Sequence, residues 1–111
     1  MIGIDIQDVK RIDKEISKPN FISRLFYPEE IEYANKQSQP ANFFAGFFCV
    51  KESVVKAVGA GVVSEVKVLY NENGKPYVEL YGKIKEIVGC KEVKISITHA
   101  IDYAMAICKI D

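Results

Sequence analysis

Two acidic side chains stand in apolar surroundings in this 111-residue sequence. Asp5 lies within the run Ile2–Ile6, and Glu52 interrupts a long apolar stretch that Lys56 interrupts again four residues later. Residues four apart share one face of a helix, so Glu52 and Lys56 are neighbours. Carboxylates are the protein ligands that Mg²⁺ typically takes, with substrate phosphates and water completing its octahedron. On the residues alone, the alternatives are a solvated Glu52–Lys56 ion pair and an Asp5 carboxylate that accepts a backbone hydrogen bond.

A long helix must position Glu52 and Lys56. The stretch Phe43–Gly61 is predicted to form a mostly buried helix of about four turns, because its apolar residues recur at spacings of three and four. Gly59 and Gly61 let the chain leave the helix. The preceding residues, Lys36–Asn42, are predicted to form a polar loop. The apolar stripe consists of Phe44, Phe47, Phe48, Val54, Val55 and Val58.

A strand must position Asp5. Ile2, Ile4 and Ile6 alternate with Gly3 and Asp5, a pattern typical of a strand half covered by a core. Asp5 therefore points away from the isoleucines.

Three short helices are predicted between this strand and the long helix. Asp8 caps the first and Pro19 ends it. Asn20 is predicted to cap the second, and Pro28 begins the third, which runs to about Asn35. Basic residues lie on the outer face of the first helix, with one more on the second beside them: Lys10, Arg11, Lys14, Lys18 and Arg24.

The rest of the chain reads as strands with one further helix. Asn73 and Gly74 predict a hairpin with a loop longer than two residues, and His99 follows a strand on the side of Ile97. This order favours an α+β fold with a mainly antiparallel sheet packed against one long central helix and several short helices. The predicted elements are the strands Glu65–Tyr70, Pro76–Tyr81, Lys91–Thr98 and Tyr103–Ile110 and the helix Gly82–Val88.

Composition limits the partners. The 15 basic and 15 acidic residues leave a formal net charge of zero, so we expect no bulk attraction to nucleic acid or membrane. No apolar run reaches the roughly 18 residues of a membrane span, and no secretion signal is evident. Cys49, Cys90 and Cys108 lack metal-ligand spacing and predict buried free thiols in a reducing cytosol. We expect one cytoplasmic domain, residues 1–111.

Four motifs follow one another along the chain. They are Gly3-Ile4-Asp5-Ile6 before Arg11-Ile12; Phe44-Ala45-Gly46 before Lys51-Glu52-Ser53-Val54-Val55-Lys56-Ala57-Val58-Gly59-Ala60-Gly61; Asn73-Gly74-Lys75-Pro76; and Ser96-Ile97-Thr98-His99 before Tyr103-Ala104. In this order and spacing they resemble holo-[acyl-carrier-protein] synthases, the small trimeric class of 4′-phosphopantetheinyl transferases, from end to end. The resemblance implies the fold of that family.

The resemblance also implies an activity. The enzyme would transfer the 4′-phosphopantetheine arm of coenzyme A to a serine of apo acyl carrier protein, releasing adenosine 3′,5′-bisphosphate and supporting fatty acid biosynthesis. Carriers of polyketide or peptide synthesis are left open. Asp5 and Glu52 would hold Mg²⁺, and Lys56 would face a phosphate. Glu52, a water on the metal or Lys56 would accept the serine proton.

The resemblance also implies roles for further residues in binding coenzyme A. His99 matches the family's histidine near the coenzyme phosphates, and Gly59 and Gly61 would admit the nucleotide close to the backbone. Phe47 stands where the family commonly has a phosphate-binding arginine. Lys75 or Lys83 is expected to replace it.

The basic face is expected to meet the carrier. Arg11 matches the family's carrier-binding arginine, and together with Lys10, Lys14 and Arg24 it would contact an acidic helix. An ordinary solvated face is the alternative for the lysines. The first helices contain fewer arginines than the family commonly has, and this difference is expected to affect the affinity for the carrier and the choice of carrier.

The resemblance further implies a closed homotrimer with His99 of one copy facing Asp5, Glu52 and Lys56 of the next. Two other classes of protein could use these residues. A metal-dependent phosphohydrolase would pass the group to water, and a non-catalytic module would only bind coenzyme A or a carrier.

Overall fold

Five strands and five helices make up the computed structural model, which describes residues 1–111. Every strand pairing is antiparallel, and the mixture confirms the α+β class. No helix is long and apolar enough to cross a membrane. The elements are β1 (Ile2–Asp8), α1 (Val9–Glu15), α2 (Phe21–Leu25), α3 (Pro28–Asn35), α4 (Pro40–Val58), a 3₁₀ turn (Val63–Glu65), β2 (Val66–Tyr70), β3 (Pro76–Leu80), α5 (Gly82–Val88), β4 (Val93–His99) and β5 (Tyr103–Ile110).

The strands form two sheets around α4. One sheet has the order β1-β5-β4, so β5 is its central strand, and β2 pairs with β3 in the other. Helix α4 lies directly on β1, where a Cβ atom on Gly3 would stand 2.0 Å from the carbonyl oxygen of Ser53. Glycine at this position therefore lets strand and helix approach closely enough for their side chains to meet.

The start of α4 differs from the prediction. The helix begins at Pro40, inside the segment Lys36–Asn42 that was predicted to be a loop. Proline is favoured in the first helical turn because its missing amide proton would have no partner there. At the other end Gly59 adopts φ +78°, and its amide donates to the carbonyl of Val55, as expected for a helix-ending glycine.

The isoleucine face of β1 does not meet the core of this chain. Ile2, Ile4 and Ile6 are 67%, 55% and 54% exposed, whereas Gly3 and Gln7 are buried against α4. The prediction that β1 is covered on one side is confirmed, but the covered side is that of Gly3 and Asp5. Alternation identifies two faces without showing which one a helix will cover.

A buried ion pair joins α3 to α4. Lys51 Nζ lies 2.8 Å from Glu30 Oε2, and both side chains are fully buried. Lys51 also donates to the carbonyl of Val66, and the Glu30 carboxylate accepts from the amides of Tyr27 and Val68, each at 2.7 Å. Every charge in this group is therefore paired and hydrogen-bonded, as burial requires.

The remaining predictions mostly hold. The hairpin loop spans residues 71–75, Gly74 has φ +80°, and Asn71 accepts from two loop amides. Asn20 precedes α2 as predicted but makes no capping hydrogen bond. All three cysteines are free, and Cys90 is exposed, so the expectation that all three are buried is wrong for that residue.

Candidate active site

Asp5 and Lys56 meet where β1 crosses the last turns of α4. Lys56 Nζ lies 3.1 Å from Asp5 Oδ1 and also donates to the carbonyl of Ile4 at 3.2 Å. The Asp5 side chain is 10% exposed and that of Lys56 53% exposed. The ion pair between Lys56 and Glu52 does not form, since the carboxylate partner of Lys56 is Asp5.

Glu52 lies one turn before Lys56 and is half-buried. Burial raises the pKa of the Glu52 carboxyl, the charge of Asp5 raises it further, and Lys56 acts in the opposite direction. A cation bound between Glu52 and Asp5 would offset the effect of Asp5 on the Glu52 charge. No group of three or more His, Cys, Asp and Glu side chains could hold a metal. Two carboxylates are enough for Mg²⁺, which keeps most of its shell for phosphates and water.

Gln7 connects Asp5 to the first helix. Its Nε2 donates to Asp5 Oδ2 at 2.8 Å, and its Oε1 accepts a hydrogen bond from Arg11 Nη2. Sequence reasoning missed Gln7, although it lies two residues after Asp5 on the same face of β1 and four before Arg11. The alternation that located Asp5 could have found it.

His99 lies elsewhere in the chain. Its Nε2 is 3.0 Å from the carbonyl oxygen of Asn42, and a Cβ atom on Gly46 would stand 3.1 Å from the same nitrogen. Gly46 precedes Glu52 by six residues, about 9 Å along the helix axis. His99 is also on β4, at the opposite edge of the sheet from Asp5 on β1. One chain therefore does not bring His99 to Asp5.

The two glycines after α4 differ in surroundings. Gly59 has open space where a side chain would project, whereas a Cβ atom on Gly61 would lie 2.4 Å from Ile84 Cγ1. Gly61 also has φ +87°. Packing against α5 is thus enough to require glycine at position 61. Of the two glycines, only Gly59 leaves its backbone open to a ligand.

The predicted basic face divides between two helices. Lys10, Arg11 and Lys14 are exposed on α1, which packs on β1 and α4. Arg24 is exposed on α2 and lines a shallow groove with Tyr27 and Ser64.

Phe47, expected from the resemblance to stand where the family has an arginine, does not reach the surface. It is 1% exposed, and its ring packs against Tyr33 and Tyr70, whose own rings stack 4.4 Å apart. Lys75 in the hairpin loop and Lys83 in α5 are both exposed.

Comparison with known proteins identifies the family. Residues 1–108 match the model of the 4′-phosphopantetheinyl transferase superfamily. The holo-[acyl-carrier-protein] synthase of Caldanaerobacter subterraneus subsp. tengcongensis is 43% identical over 96% of this chain and 90% of its own length. That of Clostridium novyi is 40% identical over 95% and 82%.

Solved structures agree with this relationship. Helicobacter pylori holo-[acyl-carrier-protein] synthase, determined in complex with coenzyme A, superimposes with a TM-score of 0.87 at 27% identity over all of both chains. The Neisseria meningitidis enzyme gives 0.84 at 28% identity over 99% of this chain and 96% of its own. The chain belongs to the 4′-phosphopantetheinyl transferase superfamily, among its holo-[acyl-carrier-protein] synthases.

Proposed function

We propose that the protein transfers the 4′-phosphopantetheine arm of coenzyme A to a serine of apo acyl carrier protein, using Mg²⁺ bound by Asp5 and Glu52. The observation that carries this proposal is the contact of Asp5 with Lys56, one helical turn from Glu52. The carboxylates of Asp5 and Glu52 and the half-exposed ammonium group of Lys56 therefore lie near one another in the fold of a family member.

The reaction is a displacement at phosphorus. The serine oxygen forms a bond to the phosphorus nearer the pantetheine, the bond from that phosphorus to the bridging oxygen breaks, and adenosine 3′,5′-bisphosphate leaves. Asp5 and Glu52 would hold Mg²⁺, which would supply positive charge near the pyrophosphate and the leaving group. Lys56, held beside Asp5 but half-exposed, would contribute a second positive charge to a phosphate. Glu52, Lys56 or a water molecule would accept the serine proton.

Coenzyme A is proposed as the co-substrate. The H. pylori relative was solved with coenzyme A bound, which supports the same ligand here. Lys56 and His99 would contact its phosphates, and Gly59, with open space beside it, would let the nucleotide approach the backbone. Gly61 would shape the same turn. With Phe47 buried, the exposed Lys75 and Lys83 are the candidates for the missing arginine's phosphate contact.

The carrier would dock on α1 and α2. Arg11 is exposed on α1 and would contact an acidic helix of the carrier, with Lys10, Lys14 and Arg24 contributing positive charge. The relatives are named for the acyl carrier protein, and we propose the carrier of fatty acid biosynthesis as the acceptor.

We further propose a homotrimer whose active sites lie between copies. Six apolar side chains remain exposed on one face of the β1-β5-β4 sheet, which we call the outer sheet face. Such a continuous apolar surface on a folded domain marks an interface. Asp5 and His99 lie on opposite edge strands, so a head-to-tail ring can bring His99 of one copy to Asp5 of the next. The face consists of Ile2, Ile4, Ile6, Tyr103, Met105 and Ile107.

One experiment separates transfer from the alternatives. The protein is incubated with coenzyme A, Mg²⁺ and an apo carrier, and the carrier is weighed by mass spectrometry, with a chelator added to a parallel sample. Transfer predicts a carrier heavier by one phosphopantetheine group, in the Mg²⁺ sample only. Free phosphopantetheine with an unchanged carrier would indicate a hydrolase. Bound but intact coenzyme A would indicate a non-catalytic module.

A further inference from the structure

Gln7 is a buried amide with both ends engaged. It is 8% exposed, its nitrogen donates to the Asp5 carboxylate, and its oxygen accepts from the Arg11 guanidinium. A carboxylate only accepts and a guanidinium only donates, so the orientation of the amide between them is fixed. Gln7 therefore holds two side chains to which the proposed function gives different tasks.

The Asp5 carboxylate is fixed from two sides. Lys56 of α4 binds Oδ1 and Gln7 binds Oδ2. Arg11 extends this group to the exposed face of α1. The structure shows one guanidinium N–H used on Gln7, and a guanidinium has five, so Arg11 can bind a carboxylate of a partner while it holds Gln7.

We propose that Gln7 is a positioning residue that links the carrier-binding Arg11 to the metal ligand Asp5, so that carrier docking and metal binding favour each other. A carrier carboxylate bound to Arg11 restrains the guanidinium, which restrains Gln7 and the Asp5 carboxylate in turn. The coupling is reciprocal, since carrier must raise metal affinity by the factor by which metal raises carrier affinity. This inference rests on the proposed roles of Asp5 and Arg11.

The test measures metal binding directly. Mn²⁺ serves as a paramagnetic probe in the presence of coenzyme A, and its Kd is measured by electron paramagnetic resonance with and without a carrier whose acceptor serine is alanine. The carrier should lower the Kd in the wild type. Gln7→Met keeps the side-chain length but removes both hydrogen bonds, and should raise the Kd about tenfold, as is typical when a partner of a metal ligand is lost. The carrier should then no longer change it.

A matched pair of surface variants makes the test independent of the buried substitution. Arg11→Met and Lys10→Met each remove one positive charge from an exposed residue of α1, but only Arg11 bonds to Gln7. In the absence of carrier, Arg11→Met should raise the Kd for Mn²⁺ and Lys10→Met should leave it unchanged. Circular dichroism checks each fold, and if Gln7→Met does not fold, this pair decides the question.

Two results would overturn the link. One is wild-type Mn²⁺ affinity in both Gln7→Met and Arg11→Met. The other is equal weakening by Arg11→Met and Lys10→Met, which would reduce the effect to charge alone. Asp5→Asn distinguishes failure of the link from failure of the proposed function. If Asp5→Asn binds Mn²⁺ as the wild type does, Asp5 is not a metal ligand, and both the proposed function and the link through Gln7 are contradicted. If Asp5→Asn loses Mn²⁺ while Gln7→Met retains it, only the link through Gln7 is contradicted.

Discussion

The chemistry proposed here depends on two carboxylates, and each can be neutralised without changing its shape. Asp5→Asn and Glu52→Gln should each lower turnover by roughly two orders of magnitude or more, because each removes charge from a metal site. Both variants should remain folded. Activity of the wild type should disappear with chelator and return with Mg²⁺, as measured by the mass of the carrier.

Glu86→Gln is the matched control for Glu52→Gln. Glu86 is an exposed acid on α5, and its neutralisation should leave turnover unchanged. Wild-type turnover in Glu52→Gln, at saturating substrates and ordinary Mg²⁺ concentration, would remove Glu52 from the site.

Arg11 should act on the carrier more than on the coenzyme. It is exposed on α1, so Arg11→Glu places a negative charge where an acidic carrier docks. The KM for carrier should rise, while the KM for coenzyme A at saturating Mg²⁺ stays near the wild-type value. A change confined to the KM for coenzyme A would contradict this assignment.

Spacing predicted part of this residue group. Periodicity predicted that Glu52 and Lys56 share one face of a helix and that Asp5 lies on the strand face away from the isoleucines. Their joint function was predicted from the resemblance. Periodicity could not show that Lys56 forms its ion pair with Asp5 and not with Glu52, because that contact depends on how closely β1 crosses α4. Gln7 lies on the same strand face as Asp5, so alternation could have located it, but an amide does not by itself suggest a metal site and Gln7 was missed.

At the scale of elements, the buried Lys51–Glu30 pair should hold α3 against α4. Lys51→Met should lower the free energy of unfolding by about 3–5 kcal/mol, because it leaves the Glu30 charge buried without its counter-ion. The double variant Lys51→Met/Glu30→Gln should be more stable than Lys51→Met, since a neutral amide can still accept from a backbone amide. Denaturant unfolding measures both.

Lys36→Met is the control for this pair. Lys36 forms an ion pair with Glu32 in α3 in which both side chains are about 70% exposed, and such pairs contribute little to stability. If Lys51→Met were as mild as Lys36→Met, the buried pair would not be holding the helices together.

Element type was more predictable than element surroundings. All the predicted helices and strands are present. The surroundings of Lys51 were not predicted, because the sequence shows only a charged residue in an apolar helix and the fold brings Glu30 to it. The start of α4 was misplaced because Pro40 lies among polar residues and was assigned to the predicted loop Lys36–Asn42 rather than to the first turn of a helix.

At the scale of the whole molecule, the outer sheet face should hold the copies together. Ile4→Lys puts a charge in the centre of that face, where Ile4 pairs with Ile107, and should convert trimers to monomers in sedimentation velocity while reducing activity. Ile87→Lys, at an exposed isoleucine on α5 outside the face, should leave the trimer intact. Monomers of wild-type chain at working concentrations, with full activity, would contradict the assembly.

The exposure of this face could not be read from sequence. The isoleucines of β1 alternate as a core-facing set would, and in an assembly they would be buried by other copies. A pattern of buried residues does not distinguish burial within a chain from burial between chains.

Asp5, Glu52 and Lys56 of one copy are proposed to act with His99 of another, and subunit mixing tests this shared site most directly. Glu52→Gln and His99→Ala chains, each inactive alone, are mixed under conditions of subunit exchange, and carrier modification is measured. Equal mixing should leave about a quarter of the interfaces with an intact His99 opposite an intact Glu52, and should restore activity in about that proportion. Mixed trimers that form, as shown by native mass spectrometry, and remain inactive would contradict the shared site.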